Sequence, residues 1–130
     1  MTAERGMQKK TELQSTTESI QHWQRMRAWV ARQPQGEHPD SRRMLQAIGE
    51  TWYRDDCALC MIKPGADCYP ACPMSRAMYA EERSYSCCCA PRAPWLAVHE
   101  AETWADWLEA ADRLIADLHV TMALLERGKI

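Results

Sequence analysis

Seven cysteines fall between Cys57 and Cys89, and none lies elsewhere in the 130 residues. Their spacing is Cys57-x2-Cys60-x7-Cys68-x3-Cys72-x14-Cys87-Cys88-Cys89. Two thiolates on a Cys-x2-Cys turn can grip one ion, and further close cysteines can complete a tetrahedron. Zinc suits such a sulfur shell because it is redox-silent and four-coordinate. An odd count prevents full pairing within one chain, and Met1 to Lys10 shows no apolar stretch of a secretory signal. The expected compartment is therefore a reducing cytosol, where clustered thiols hold metal more often than they form disulfides.

The ligand set read from this spacing is Cys57, Cys60, Cys72 and Cys88. Cys68 fits as well, but Cys57, Cys60, Cys68 and Cys72 together would leave the triplet without a role. If the triplet is extended, Cys87 and Cys89 face one side and Cys88 the other, so any of the three can supply a ligand. His99, ten residues beyond Cys89, is an alternative fourth ligand, although a place at a helix start is the preferred reading for it. His22 and His119 fall within helical patterns and read as packing or surface residues. A structural zinc can supply ~10–16 kcal/mol of apparent binding energy, comparable to the stability of a whole small domain.

Other thiol chemistries fit less well. The spacing matches neither common ferredoxin run, which places an iron–sulfur cluster behind zinc. Cys57-Ala58-Leu59-Cys60 has the spacing of a redox pair but no surrounding βαβ pattern. Catalytic zinc needs an open coordination position and a nearby base, and neither a His-Glu-x2-His nor a His-x-Glu with Pro-Cys-x2-Cys occurs. The expectation is a closed structural site without catalysis.

The elements that must position these thiols read as helices. Residues 1–10 are polar and without an apolar period, which reads as a flexible tail ahead of one domain over 11–130. Leu13, Ile20, Trp23, Met26 and Val30 recur at mostly helical spacing, predicting a helix over 11–33 that Pro34 and Gly36 end. A second helix is predicted over 40–54, capped by Asp40 or Ser41, with Met44, Leu45, Ile48 and Trp52 on one side. Five prolines between residues 57 and 95 argue against a long element there, leaving Met74 to Arg83 as one short helix within the metal loop.

The last third carries the strongest periodicity. Trp104, Leu108, Ala111, Ile115, Leu118, Met122 and Leu125 alternate four- and three-residue steps, predicting a helix over 99–127 with Gly128 as its stop. Glu102, Asp106, Glu109, Asp112 and Asp117 read as its acidic solvent face. The fold class is thus mainly α: a small helical bundle with a zinc-held cysteine-rich loop between the second and the long C-terminal helix. That long stripe can pack on the first two helices or on its own copy in a homodimer, and the intramolecular bundle is favoured.

Charge and aromatic content bear on partners. The formal net charge is −2, which excludes broad nonspecific phosphate binding, and no stretch approaches the length of a membrane span. Residues 1–54 nevertheless hold nine basic and six acidic side chains. Arg25, Arg27, Arg42 and Arg43 are the candidate patch for a nucleic acid or an acidic protein, though solvated helix faces explain them as well. Six tryptophans stand in for the absent phenylalanine, mostly on apolar stripes. Trp95, in Ala93-Pro94-Trp95-Leu96, lies off such a stripe and is the candidate for packing the metal loop or touching a partner.

The cysteine segment resembles that of small uncharacterised proteins encoded by bacteriophages and prophages. Their pattern of Cys-x-Leu-Cys, then Cys-x2-or-3-Cys-Pro, then Cys-x2-Pro is similar to Cys57-Ala58-Leu59-Cys60, Cys68-Tyr69-Pro70-Ala71-Cys72-Pro73 and Cys88-Cys89-Ala90-Pro91. The neighbours Cys87 and Cys89 depart from it. The resemblance covers about a quarter of the chain and implies an accessory protein in the host cytosol that binds, and inhibits, a host factor. A fainter similarity to fungal binuclear zinc clusters lacks their basic residues, since only Lys63 stands between the early cysteines.

Overall fold

A computed structural model describes residues 2–53, 68–86 and 90–130, with side chains from residue 12 onward except that of Cys68. Six helices occupy the described residues and no strand does: α1 (Thr2–Val30), α2 (Ser41–Ile48), α3 (Cys68–Ala71), α4 (Pro73–Ala80), α5 (Pro94–Glu100) and α6 (Trp104–Glu126). The mainly helical reading therefore holds. None of these helices is long and apolar enough to cross a membrane.

The bundle is built on α1 and α6 lying against each other. Trp29 meets Trp104 with ring centroids 5.5 Å apart, and Trp23 meets Trp107 at 5.9 Å. Arg27 bonds Asp112. As α1 descends in number α6 ascends, so the two run antiparallel. The intramolecular packing favoured from the stripe is what the chain adopts. The buried face of α6 is Trp104, Trp107, Ala111, Leu114, Leu118 and Leu125, while Leu108, Ile115 and Met122 flank it half-buried.

Several boundaries differ from the sequence expectation, each for a local reason. The expected helix over 99–127 is two helices. Thr103 is extended and its hydroxyl accepts from the Asp106 amide at 3.1 Å, starting α6 one residue later. The amides of Trp104 and Ala105, without partners inside α6, donate to the carbonyls of Glu37 and Gln35. Pro94 opens α5 and Pro73 opens α4, because proline's missing N–H costs nothing at a first helical position. Within the segment expected as a loop over 57–95, α4 matches the short helix expected over Met74 to Arg83, and α3 and the start of α5 add helical turns beyond that expectation.

The second helix ends at Ile48, not near residue 54, because Gly49 takes a left-handed conformation with φ 71° and its amide closes onto Leu45. Its cap is Asp40, whose carboxylate accepts from the amides of Arg42 and Arg43. The first helix ends at Val30, followed by a turn through residue 33. At its other end, α1 is helical from Thr2, so residues 2–10 of the polar stretch read as a tail belong to it. At the end of α6, Gly128 has φ 68° and donates to Leu125, as its stop role predicts.

Candidate metal centre and its surroundings

Cys72 immediately precedes α4, with its backbone extended and its carbonyl accepting from Arg76. Its side chain is half-buried against the apolar core. Cys68 begins α3, and the Tyr69–Pro70 peptide that follows is cis. Cys57, Cys60, Cys87, Cys88 and Cys89 lie outside the described residues. Among the described residues, no three His, Cys, Asp or Glu side chains gather as a metal-binding group.

Several described residues at the edges of the cysteine segments are pinned to helices. Trp52, just ahead of the first, is buried and accepts at its carbonyl from Nε2 of His99 on α5, 3.0 Å away. Arg76 on α4 donates to the Pro70 carbonyl at 2.9 Å. The Ser75 hydroxyl, in the first turn of α4, donates to the carbonyl of Ser86, the residue that leads into the triplet. Tyr85 donates from its hydroxyl to the buried carboxylate of Asp117 on α6. On the far side, the amide of Ala93 closes a turn on the Ala90 carbonyl.

Asp117 is thereby moved off the acidic face where the sequence places it. Its side chain is 6% exposed, with Arg83 3.9 Å away. Burial first, and then the bond to Asp117, push the Tyr85 hydroxyl up to about 12. The Tyr85 phenol is therefore neutral over the whole physiological range and donates to Asp117. Neither residue stands out in the sequence. The signal available is that Asp117 follows Leu114 by three residues on the apolar period, a register that points inward.

His99 sits in the last turn of α5, not at the start of α6. Its ring packs on Trp95 with centroids 3.9 Å apart and lies 6.1 Å from Tyr53. Burial pulls its pKa below the ordinary value, against a smaller opposing effect of the Trp52 carbonyl. With Nε2 engaged, only Nδ1 would remain for a metal. Trp95 is half-buried and packs on the core.

The four arginines of the candidate basic patch divide between two helices. Arg25 donates to both oxygens of Glu50, and His22 Nδ1 lies 2.9 Å from the same carboxylate. The Arg25 bond, and less so His22, holds the Glu50 carboxyl below its ordinary range against the effect of burial. Arg27 bonds Asp112, and Arg43 bonds Glu37 at 3.0 Å. Arg42 is exposed and has no ion pair among the described residues. His22, buried and in place to meet Glu50, is a packing residue as read.

No protein family, curated protein or solved structure matches the chain.

Proposed function

We propose that the chain is a non-catalytic, zinc-stabilised accessory protein of the phage type that acts by binding a host protein. The observation that carries the metal part is the Ser75–Ser86 bond. It sets the peptide leading into the triplet beside the helical turn that Cys72 precedes. From Tyr53, four residues of chain reach about 14 Å to Cys57 and seven reach about 25 Å to Cys60, at ~3.3–3.6 Å each. The longer reach exceeds, and the shorter one about equals, the ~15 Å that ten residues of α6 put between Trp107, packed on Trp52, and Asp117, bonded to Tyr85. Cys57, Cys60, Cys72 and Cys88 can therefore be drawn to one ion, closing a tetrahedron without an open position.

The partner part rests on what the surface offers. Tyr69 and Tyr79 are 48% and 65% exposed and pair with centroids 5.0 Å apart, beside the cysteine segment. Tyrosines are the type of side chain that anchors protein interfaces. A nucleic-acid partner would instead need free guanidiniums, and Arg25, Arg27 and Arg43 already serve carboxylates. The acting surface is thus aromatic more than basic.

Elemental analysis of protein purified under reducing conditions should find one zinc per chain, lost in the Cys57→Ser, Cys60→Ser double variant. Absence of zinc in the parent overturns the metal part. Capture of one bacterial protein that fails with Tyr69→Ala, Tyr79→Ala but survives Arg25→Glu, Arg42→Glu supports the partner part. A salt-dependent nucleic-acid gel shift abolished by those arginine changes selects the nucleic-acid alternative in its place.

A further inference from the structure

A cleft of about 430 Å³ opens between the segment before the cysteine triplet and the α5–α6 pair. Ser84, Tyr85, Arg92, Arg113 and, from the last turn of α5, Glu100 line it, with Leu96 of α5 contributing apolar surface. Arg92 and Arg113 have no ion pair among the described residues, whereas Arg25, Arg27, Arg43, Arg76 and Arg83 each have a carboxylate within 4.0 Å. The two guanidiniums that line this cleft are among those left without one.

The backbone at Arg92 adds an independent observation. Ala90, Pro91, Arg92 and Ala93 form a turn closed by the Ala93 amide on the Ala90 carbonyl, and Arg92 has φ 72°. Proline second and a positive φ third is the pattern of a type II turn, whose third position favours glycine. An arginine there is strained, and strain of this kind gathers where a side chain has a task. Arg113 donates to the carbonyl of this same residue at 3.3 Å, which ties the two guanidinium-bearing residues together.

We propose that this cleft binds a phosphate monoester, its head held between Arg92 and Arg113 and its organic body resting on Leu96. Paired guanidiniums supply forked donors to several oxygens at once, and a phosphate head offers three, where a carboxylate offers two. The Ser84 hydroxyl is a further donor. The ligand is a free small molecule, because Glu100 in the cleft's own lining, and Glu102, Asp106 and Glu109 beyond it, would repel an acidic peptide continuing along the groove. This site stands independently of the zinc and partner readings.

The test titrates the full chain, as purified under reducing conditions, with phenyl phosphate by calorimetry. Benzoate and a phosphoserine hexapeptide are the comparison probes. Saturable phenyl phosphate binding, at least tenfold tighter than benzoate or the peptide, is expected. It should weaken at least tenfold in Arg113→Ala and stay unchanged in Arg127→Ala. Arg92→Gly should lose binding equally while melting no lower than the parent, since glycine relieves the left-handed strain. Benzoate or the peptide binding as tightly as phenyl phosphate, binding indifferent to Arg92 and Arg113, or an Arg92→Gly variant that melts lower each overturns the proposal.

Discussion

The two ends of the α1–α6 pair are held by different physics. At one end, Trp23, Trp52, Trp104 and Trp107 are buried together, with ring centroids 5.6–6.1 Å apart and mostly tilted or edge-to-face contacts. The indole N–H groups of Trp104 and Trp107 are buried without a hydrogen-bond partner, so apolar packing alone must offset that cost. At the other end, α1 buries Glu12, Thr16 and Ser19, α4 buries Ser75, and α6 buries Asp117 and Thr121. There Glu12 pairs with Arg76 at 2.7 Å, and Thr16 and Thr121 turn their hydroxyls back to carbonyls four residues earlier. A polar interior contributes little net stability, because each bond replaces one to water. Cys72 and the residues leading into the triplet lie beside this second end, whereas the chain enters the first cysteine segment from Trp52 at the aromatic end. The contrast teaches that the half with the polar interior is the one a metal would have most to add to.

The largest expected effect tests the aromatic end. Trp107→Ala should lose about 3–5 kcal/mol in urea unfolding, the range for emptying a buried indole site. At the polar end, Tyr85→Phe leaves the Asp117 carboxylate with only the distant Arg83 and should lose about 1–3 kcal/mol. Equal losses from the two substitutions would erase the distinction between the halves. Double-mutant cycles sharpen it further. Glu12–Arg76, with side chains 11% and 21% exposed, should couple by about 1–2 kcal/mol, against less than about 0.5 for the exposed Arg27–Asp112 pair.

The smallest effect is a pH dependence. His99 has its pKa lowered by burial, so the unfolded chain takes up its proton first. The contribution is fully present above the ordinary value of 6.5 and is lost as pH falls through it towards the folded value. Glu50, also lowered, is lost only at the acid end, below its ordinary 4.5. The melting temperature should therefore decline between pH 7 and 5.5, and His99→Gln should flatten that decline. An unchanged slope in the variant would place the titration elsewhere.

The aromatic end was the more legible half of the sequence because its apolar residues recur at helical spacing. Trp23, Met26 and Val30 on α1 and Trp104 and Ala111 on α6 are all buried as their period implies. The polar end hides from such a reading. Glu12, Thr16 and Ser19 keep the same three- and four-residue steps, but polar side chains on a stripe look like solvent-facing ones. Asp117 failed the same way, since only the Tyr85 hydroxyl, 32 positions back in the chain, makes its burial tolerable. Pro94 was read as a breaker because a proline that stops one helix and one that starts the next look identical without the cap before it. Of the expected metal ligands, only Cys72 has a described side chain; its position before a proline-led helix was readable from Cys72-Pro73 itself.

The loop joining α1 to α2 ends the first two amides of α6 with its own carbonyls, at Gln35 and Glu37. That grip is made by main chain, so it is blind to which side chain stands at residue 37. Drift there forfeits no more than the surface contact with Arg43. A single inserted residue between the two carbonyls would shift both out of register and fray the start of α6. Spacing, not composition, is therefore what descent should preserve in this stretch.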